Sequence, residues 1–204
     1  MVMDVSGGTP KRILVVCTAN VCRSPVAEHL LRRHLEATGH DAVVTSAGVI
    51  GGRLDVHRYT VDAARMGGID LTGHRSRLLT QDLIATEGAD LVIGMAREHV
   101  AQVVGLDKTA WPRTFTLKSL VRRSTATPVD VADGDWQAWL EALGADRHAN
   151  ELVRPDPADD VRDAYGLPAA AHMAMTADLN TLCQQLSSQL PRVGSFELSC
   201  RSVR

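Results

Sequence analysis

The sequence predicts an α/β fold: a single Rossmann-like domain on a four-stranded parallel sheet, with helices on both faces. Three observations predict it. Short stretches that read as strands, the first of them fully apolar and rich in β-branched residues, recur at 13–16, 42–45, 89–93 and 113–117. Stretches with apolar residues at helical spacing lie between them. Strands that alternate with helices connect by right-handed crossovers, which makes the sheet parallel and covers both of its faces.

Each element has its own signal. Ile13-Leu14-Val15-Val16 is apolar on both sides, as a strand buried on both faces must be. Pro25 sits where the first turn of a helix accepts it, Ala27, Leu30, Leu31, His34 and Leu35 follow at helical spacing, and Gly39 is the stop. The second strand, 42–45, runs into Ser46-Ala47-Gly48. A helix over 61–66 ends at Gly67-Gly68, and Thr80-Gln81-Asp82-Leu83 opens a short one. The third strand covers 89–93, a helix 97–104 and the fourth strand 113–117. The stretch 119–162 is polar, proline-dotted and rich in aspartate, and reads as an extended insertion holding a short helix at 135–143 with Trp136 and Trp139. The last helix covers 168–190. Residues 1–11 read as disordered and 191–204 as a loose tail, which leaves 12–190 as the domain. No internal repeat is present.

Composition narrows the function classes. The 204 residues are ample for one buried core. An apolar share of 45% and a charged share of 23% are ordinary for a globular protein, and a net charge of -2 gives no reason to expect nucleic acid as partner. Aromatic residues make up only 3%, so the core must be aliphatic. No apolar run approaches the roughly 20 residues needed to span a bilayer, and the start lacks an apolar leader segment. The expectation is a cytoplasmic protein without membrane insertion. Cys17, Cys22, Cys183 and Cys200 are too few and too unevenly spread for a secreted disulfide framework. In a reducing compartment, a thiol in a special setting is then catalytic or redox-active.

Cys17-Thr18-Ala19-Asn20-Val21-Cys22-Arg23-Ser24-Pro25 supplies that setting. A bare C-x5-R spacing is weak, but here a buried strand runs into the Cys and a helix begins after the Arg. A loop that closes onto a helix N-terminus turns its backbone N–H groups inward and adds the positive end of the helix dipole. The loop Thr18, Ala19, Asn20, Val21, Cys22 and Arg23 is thereby a phosphate cradle. Arg23 can hold two phosphate oxygens at once, which Lys could not. The same positive field favours the thiolate of Cys17. Thr18 and Ala19 are small enough for a close backbone approach, and Asn20 tolerates a left-handed conformation. Ser24 can donate to the Cys17 sulfur. The blander reading makes Cys17 and Cys22 buried small hydrophobes and Arg23 a surface charge; the strand and helix that frame them argue against it.

The segment VCTANVCRSPVAEHLL resembles the phosphate loop of low-molecular-weight protein tyrosine phosphatases, whose pattern is C-x-x-N-x-C-R-S-P followed by a helix. The resemblance continues in order through Ser46-Ala47-Gly48, GIDLTGHRSR from Gly68 and ADLVIGMAREH from Ala89, covers most of 12–117, and resumes in the last helix. It implies the fold of that family and a phosphomonoester hydrolase with Cys17 as nucleophile and Arg23 as binder of phosphate and transition state. It also implies that Asn20, Ser24, Ser46 and His74 form the hydrogen-bond network that fixes the loop. The implied partner is a phosphotyrosine-containing protein or a small aryl phosphate, with a tyrosine kinase as its counterpart. No metal or organic cofactor is implied, because cradle and thiolate supply the electrostatics and the nucleophile.

Cleavage through a phosphocysteine needs an acid for the departing oxygen and then a base for water. The family places that Asp in a D-V-x-D-P-Y loop shortly before the last helix. Asp163, in Asp160-Val161-Arg162-Asp163-Ala164-Tyr165, keeps the neighbours and the spacing, although Ala164 replaces the proline. Asp156, in Pro155-Asp156-Pro157, keeps the Asp-Pro pair but lies seven residues earlier. Spacing into the helix fixes where a side chain can reach, and this prefers Asp163. The family's aromatic residue after Ser-Ala-Gly is missing: Val49-Ile50-Gly51-Gly52-Arg53 follows, and Tyr165 is left as one wall. Cys22 can approach Cys17, so a reversible disulfide and a packed small residue both remain open.

Four other readings compete. An arsenate reductase of this fold needs two further thiols, and none lies between Cys22 and Cys183. A protein arginine phosphatase favours a hydroxyl residue where Val21 stands. A phosphate-binding module without catalysis rests only on the irregular acid loop. A metal site from Cys17, Cys22 and histidines lacks a second ligand pair at zinc spacing.

Overall fold

The computed structural model describes residues 10–85, 88–126, 128, 129, 131, 134–152 and 156–191. Its sheet has four parallel strands, β1 (Lys11–Cys17), β2 (Ala42–Gly48), β3 (Leu91–Gly94) and β4 (Thr114–Thr116), in the order β2-β1-β3-β4. Register places Cys17 beside Gly48 and Val16 beside Gly94. The chain leaves β1 for one neighbour and later returns to its other side. The carboxyl end of β1 therefore opens into a crevice at a topological switch point, where α/β sheets bind ligands.

Side-chain alternation along β1 divides the core. Ile13, Val15 and Cys17 face one side and Leu14 and Val16 the other. On the first side lie α1 (Arg23–Ala37) and α7 (Ala169–Ser187), packed together through Leu30, Leu31, Leu179 and Cys183, with α2 (Arg58–Met66) against α7. On the second side, α3 (Gln81–Ile84) supplies Leu83 and Ile84, and α4 (Arg97–Leu106) supplies Val103. The predicted sheet with helices on both faces is what forms. None of the helices among the described residues is long and apolar enough to cross a membrane. The expected loose ends lie outside the described residues, apart from 10, 11 and 191; Lys11 begins β1.

The region expected to be an extended insertion is different. Residues Leu117–Ala126 form helix α5 directly after a fourth strand shorter than expected. In LKSLVRRSTA the polar average conceals a stripe: Leu117, Leu120, Val121 and Ser124 recur at helical spacing and are all buried. Helix α6 (Trp136–Gly144) forms where the short helix was expected, starting from Asp135, whose carboxylate accepts from Ala138 N at 2.9 Å. Its Trp136, Trp139, Leu140 and Leu143 join the same core as β1, α1 and α7. Arg147 lies over the rings of Trp111 and Phe115 at 3.7 and 4.1 Å.

Because this region closes the core, Trp139→Ala should cost about 3–5 kcal/mol in urea unfolding, as deletion of a buried aromatic does. A loss under 1 kcal/mol, on the order of a surface change, would mean that α6 is dispensable.

Candidate active site

The loop between β1 and α1 is shaped by one residue in a left-handed conformation, Asn20 at φ 56°. Its fully buried amide is saturated. Nδ2 donates to Ser24 Oγ and Ser46 Oγ, each at 2.8 Å, and Oδ1 accepts from Arg77 N at 3.1 Å and His74 Nε2 at 3.2 Å. Ser46 in turn donates to Glu28 Oε2 at 2.6 Å. Of the four residues grouped by resemblance as the loop's support, Ser24, Ser46 and His74 thus all meet at the Asn20 side chain. Burial holds the imidazole of His74 below its usual pKa, so it stays neutral and donates through Nε2–H. Gly48 has its own role, since a Cβ there would come within 2.7 Å of the Ala19 backbone.

Two donors converge on the Cys17 sulfur. Asn20 N lies 3.3 Å from Sγ and Ser24 Oγ 2.9 Å. Ser24 Oγ accepts from Asn20 and keeps its own proton, which it can donate to a thiolate sulfur. Cys22 is also buried, beside the hydroxyl of Thr60, and desolvation pushes its thiol up to about 11. The two cysteines of the loop therefore sit in different settings: two loop donors approach the Cys17 sulfur, while at Cys22 desolvation outweighs the single hydrogen bond with Thr60.

Arg23 is 4% exposed at the start of α1. Its guanidinium donates to Thr18 Oγ1 at 2.8 Å and Asp163 Oδ2 at 2.6 Å, and reaches Val161 O at 3.4 Å. Its Nε is buried without a protein acceptor, a donor suited to an anion in the loop. Thr18 Oγ1 shares a 3.1 Å hydrogen bond with His99 Nε2, and desolvation, helped by Arg23, drives His99 down to about 3.

The two candidate acids part company here. Asp163 lies against Arg23 and lines the cavity above Cys17, with its carboxylate also accepting from Tyr165 N at 3.1 Å. Asp156 lies instead against Arg97 at 3.0 Å and is absent from the cavity lining. Arg97 also pairs with Asp159 at 2.6 Å, and its N–H donates to Asp160 at 2.8 Å; Arg122 holds Asp159 at 2.7 Å. Burial alone would raise Asp159, but hydrogen bonds from Arg122 and Arg97 outweigh it and hold the carboxyl below its usual range. Val161 N bonds to Met95 O at 2.8 Å, docking the loop beside β3. Among the described residues no group of three or more His, Cys, Asp or Glu is arranged to hold a metal.

The cavity, 450 Å³, is lined by Cys17, Thr18, Ala19, Val21, Cys22 and Arg23 at its base. Ile50, Leu54, Asp55, His57, Asp163 and Tyr165 form its walls. Sequence reasoning omitted His99, Glu28, Arg97 and His57. His99 and Arg97 lie in the ADLVIGMAREH segment and Glu28 four residues after Ser24, so position relative to the motifs was a usable signal. Nothing local marks His57.

An α/β sheet with a thiol at the end of β1, an anion cradle and an Arg–Asp pair at a helix start defines a cysteine-based phosphate-handling protein. The chain belongs to the low molecular weight phosphotyrosine protein phosphatase family, whose model matches residues 12–138. It is 41% identical over 95 residues to the low molecular weight protein-tyrosine-phosphatase Etp of Escherichia coli K12, a match that spans 46% of this chain but only 60% of that enzyme. It is 38% identical over 144 residues to the probable low molecular weight protein-tyrosine-phosphatase EpsP of Ralstonia nicotianae, covering 71% of this chain and 89% of that one. A protein-arginine-phosphatase of Bacillus subtilis is 36% identical over 125 residues, 60% of this chain and 80% of its own. The crystal structure of the low molecular weight protein tyrosine phosphatase from T. tengcongensis superposes with a TM-score of 0.66 at 27% identity, over 88% of this chain and 99% of that one.

His99 gives a stability prediction with a defined sign. Unfolded, it titrates near its ordinary 6.5; folded, at about 3. Between these values the unfolded chain holds the extra proton, so acid favours unfolding by up to about 1.4 kcal/mol per pH unit. Urea unfolding at pH 7 and pH 5 should show a smaller acid loss in His99→Gln than in the wild type. Equal losses would refute the assignment.

Proposed function

We propose that the protein is a cysteine-dependent phosphomonoester hydrolase, acting as a protein-tyrosine phosphatase. The observation that carries the reading is the convergence of Asn20 N and Ser24 Oγ on Cys17 Sγ, in a loop closed by an Arg23–Asp163 contact. The Cys17 thiolate attacks phosphorus and displaces the phenolic oxygen, which takes its proton from Asp163. Asp163, now a carboxylate, removes a proton from the water that cleaves the phosphocysteine, releasing phosphate and restoring the thiolate. Arg23 and the loop N–H groups carry the charge on the equatorial oxygens. Ser24 donates to the sulfur as it leaves. The roles of Ser46 and His74 are to hold Asn20, and through it the loop.

Asp163 rather than Asp156 is the acid, supported by its place on Arg23 and in the cavity wall. The tyrosine substrate is supported by the largely apolar and aromatic walls and by Val21, an aliphatic residue in the loop. This reading carries with it a phosphotyrosine protein as substrate, a tyrosine kinase as its supplier and the cytoplasm as compartment. The free thiols Cys17, Cys22 and Cys183 fit a reducing compartment.

The test is hydrolysis of an aryl phosphate, a phosphotyrosine peptide and a phosphoarginine peptide under reducing conditions. Cys17→Ser should abolish turnover. Asp163→Asn should lower kcat by roughly 10²–10⁴, the share of a general acid and base, while Asp156→Asn stays within about threefold, as a surface change does. The reverse order of the two Asp variants would move the acid to Asp156. Tight phosphate binding without turnover would make the protein a binding module, and faster cleavage of phosphoarginine would replace the tyrosine reading.

A further inference from the structure

The wall that the sequence leaves bare after Gly48 is aliphatic: Ile50 and Leu54 line that side of the cavity. The cavity also carries rings. His57 and Tyr165 both line the cavity and meet edge to face at 5.7 Å. His57 is also stacked on His172 of α7, with ring centroids 4.6 Å apart and planes 10° apart, and Tyr59 closes the group at 5.5 Å from His57.

Two anchors fix this group relative to the phosphate loop. His57 N donates to Val21 O at 3.0 Å, so the residue that starts α2 is tied to the loop backbone. His172 Nδ1 and Thr60 Oγ1 share a buried 2.8 Å hydrogen bond, and Thr60 touches the Cys22 thiol. Tyr165 follows Asp163 by two residues, and its N–H holds that carboxylate. One face of the His57 ring is covered by His172. The part left open belongs to the cavity wall.

We propose that His57 is a specificity-determining residue: its imidazole, with Tyr165, is the ring wall against which the aryl group of a phosphate ester packs. It takes the part of the aromatic residue that the segment after Gly48 lacks. The proposal rests on the reading of this cavity as a phosphomonoesterase site. A ring stacked on His172, on a residue whose backbone N–H is tied to Val21 O, loses little freedom when a substrate ring packs on it, which is where affinity is gained. His172 acts through His57 and is a positioning residue.

Binding of non-hydrolysable probes separates this role from turnover. Benzylphosphonate and methylphosphonate share the phosphonate head and differ in the ring, and their affinities are measured by calorimetry on the wild type, His57→Ala and His57→Phe. His57→Ala should weaken benzylphosphonate about five- to tenfold, the range of an aromatic pair contact, and leave methylphosphonate unchanged. His57→Phe should restore benzylphosphonate binding. Equal weakening of both probes would overturn the proposal, because His57 would then be supporting the phosphate loop. An unchanged benzylphosphonate affinity would overturn it as well. A wild type that shows the expected pattern but hydrolyses no aryl phosphate would refute the hydrolase reading and leave the ring wall standing.

Discussion

Four partners converge on the side-chain amide of Asn20, and the phosphate loop keeps its shape through them. The left-handed conformation of that residue costs roughly 1–2 kcal/mol for an ordinary side chain, less for asparagine. A buried amide with unmade hydrogen bonds would add to that cost; here each hydrogen-bonding atom has two partners. The partners come from the start of α1, the end of β2 and the segment after Thr72, so the loop forms only when those three parts of the chain have come together. This coupling makes a short loop rigid enough to aim donors at one sulfur.

A second network does the same for the segment that leads to Asp163. Arg97 at the start of α4 binds Asp156 and Asp159 through its side chain and Asp160 through its backbone, and Arg122 of α5 joins at Asp159. Asp159 is 3% exposed, and a buried carboxylate with two guanidinium partners is stable only while both remain. The path of the chain from Asp156 to Asp163 is thereby anchored on α4 and α5, and α4 also meets the phosphate loop through His99.

The fold was largely legible as pattern. The buried strand β1, the glycine stops and the alternation of strands with helices are local signals, and the elements they predict are present. Helix α5 escaped because charged residues at Lys118, Arg122 and Arg123 dominate a ten-residue window whose buried stripe is only four residues wide. Trp136 and Trp139 were visible as residues, but their membership in the main core depends on where α6 docks, which no local spacing expresses. The loop from Cys17 to Ser24 was legible because its chemistry is carried within one short run at a strand–helix junction.

By itself, then, the sequence determined the parallel α/β class and the strand–loop–helix run from Cys17 to Ser24, because both follow from neighbouring residues with fixed periodicity or spacing. Tertiary structure alone decided which aspartate meets Arg23, since Asp156 and Asp163 differ in what the folded chain places beside them. It also decided that His57 and Tyr165 form the ring wall. Those residues lie far apart along the chain and become neighbours only when α2 and α7 pack together. Contacts of that kind are set by the packing of helices, a long-range quantity that a local pattern does not contain.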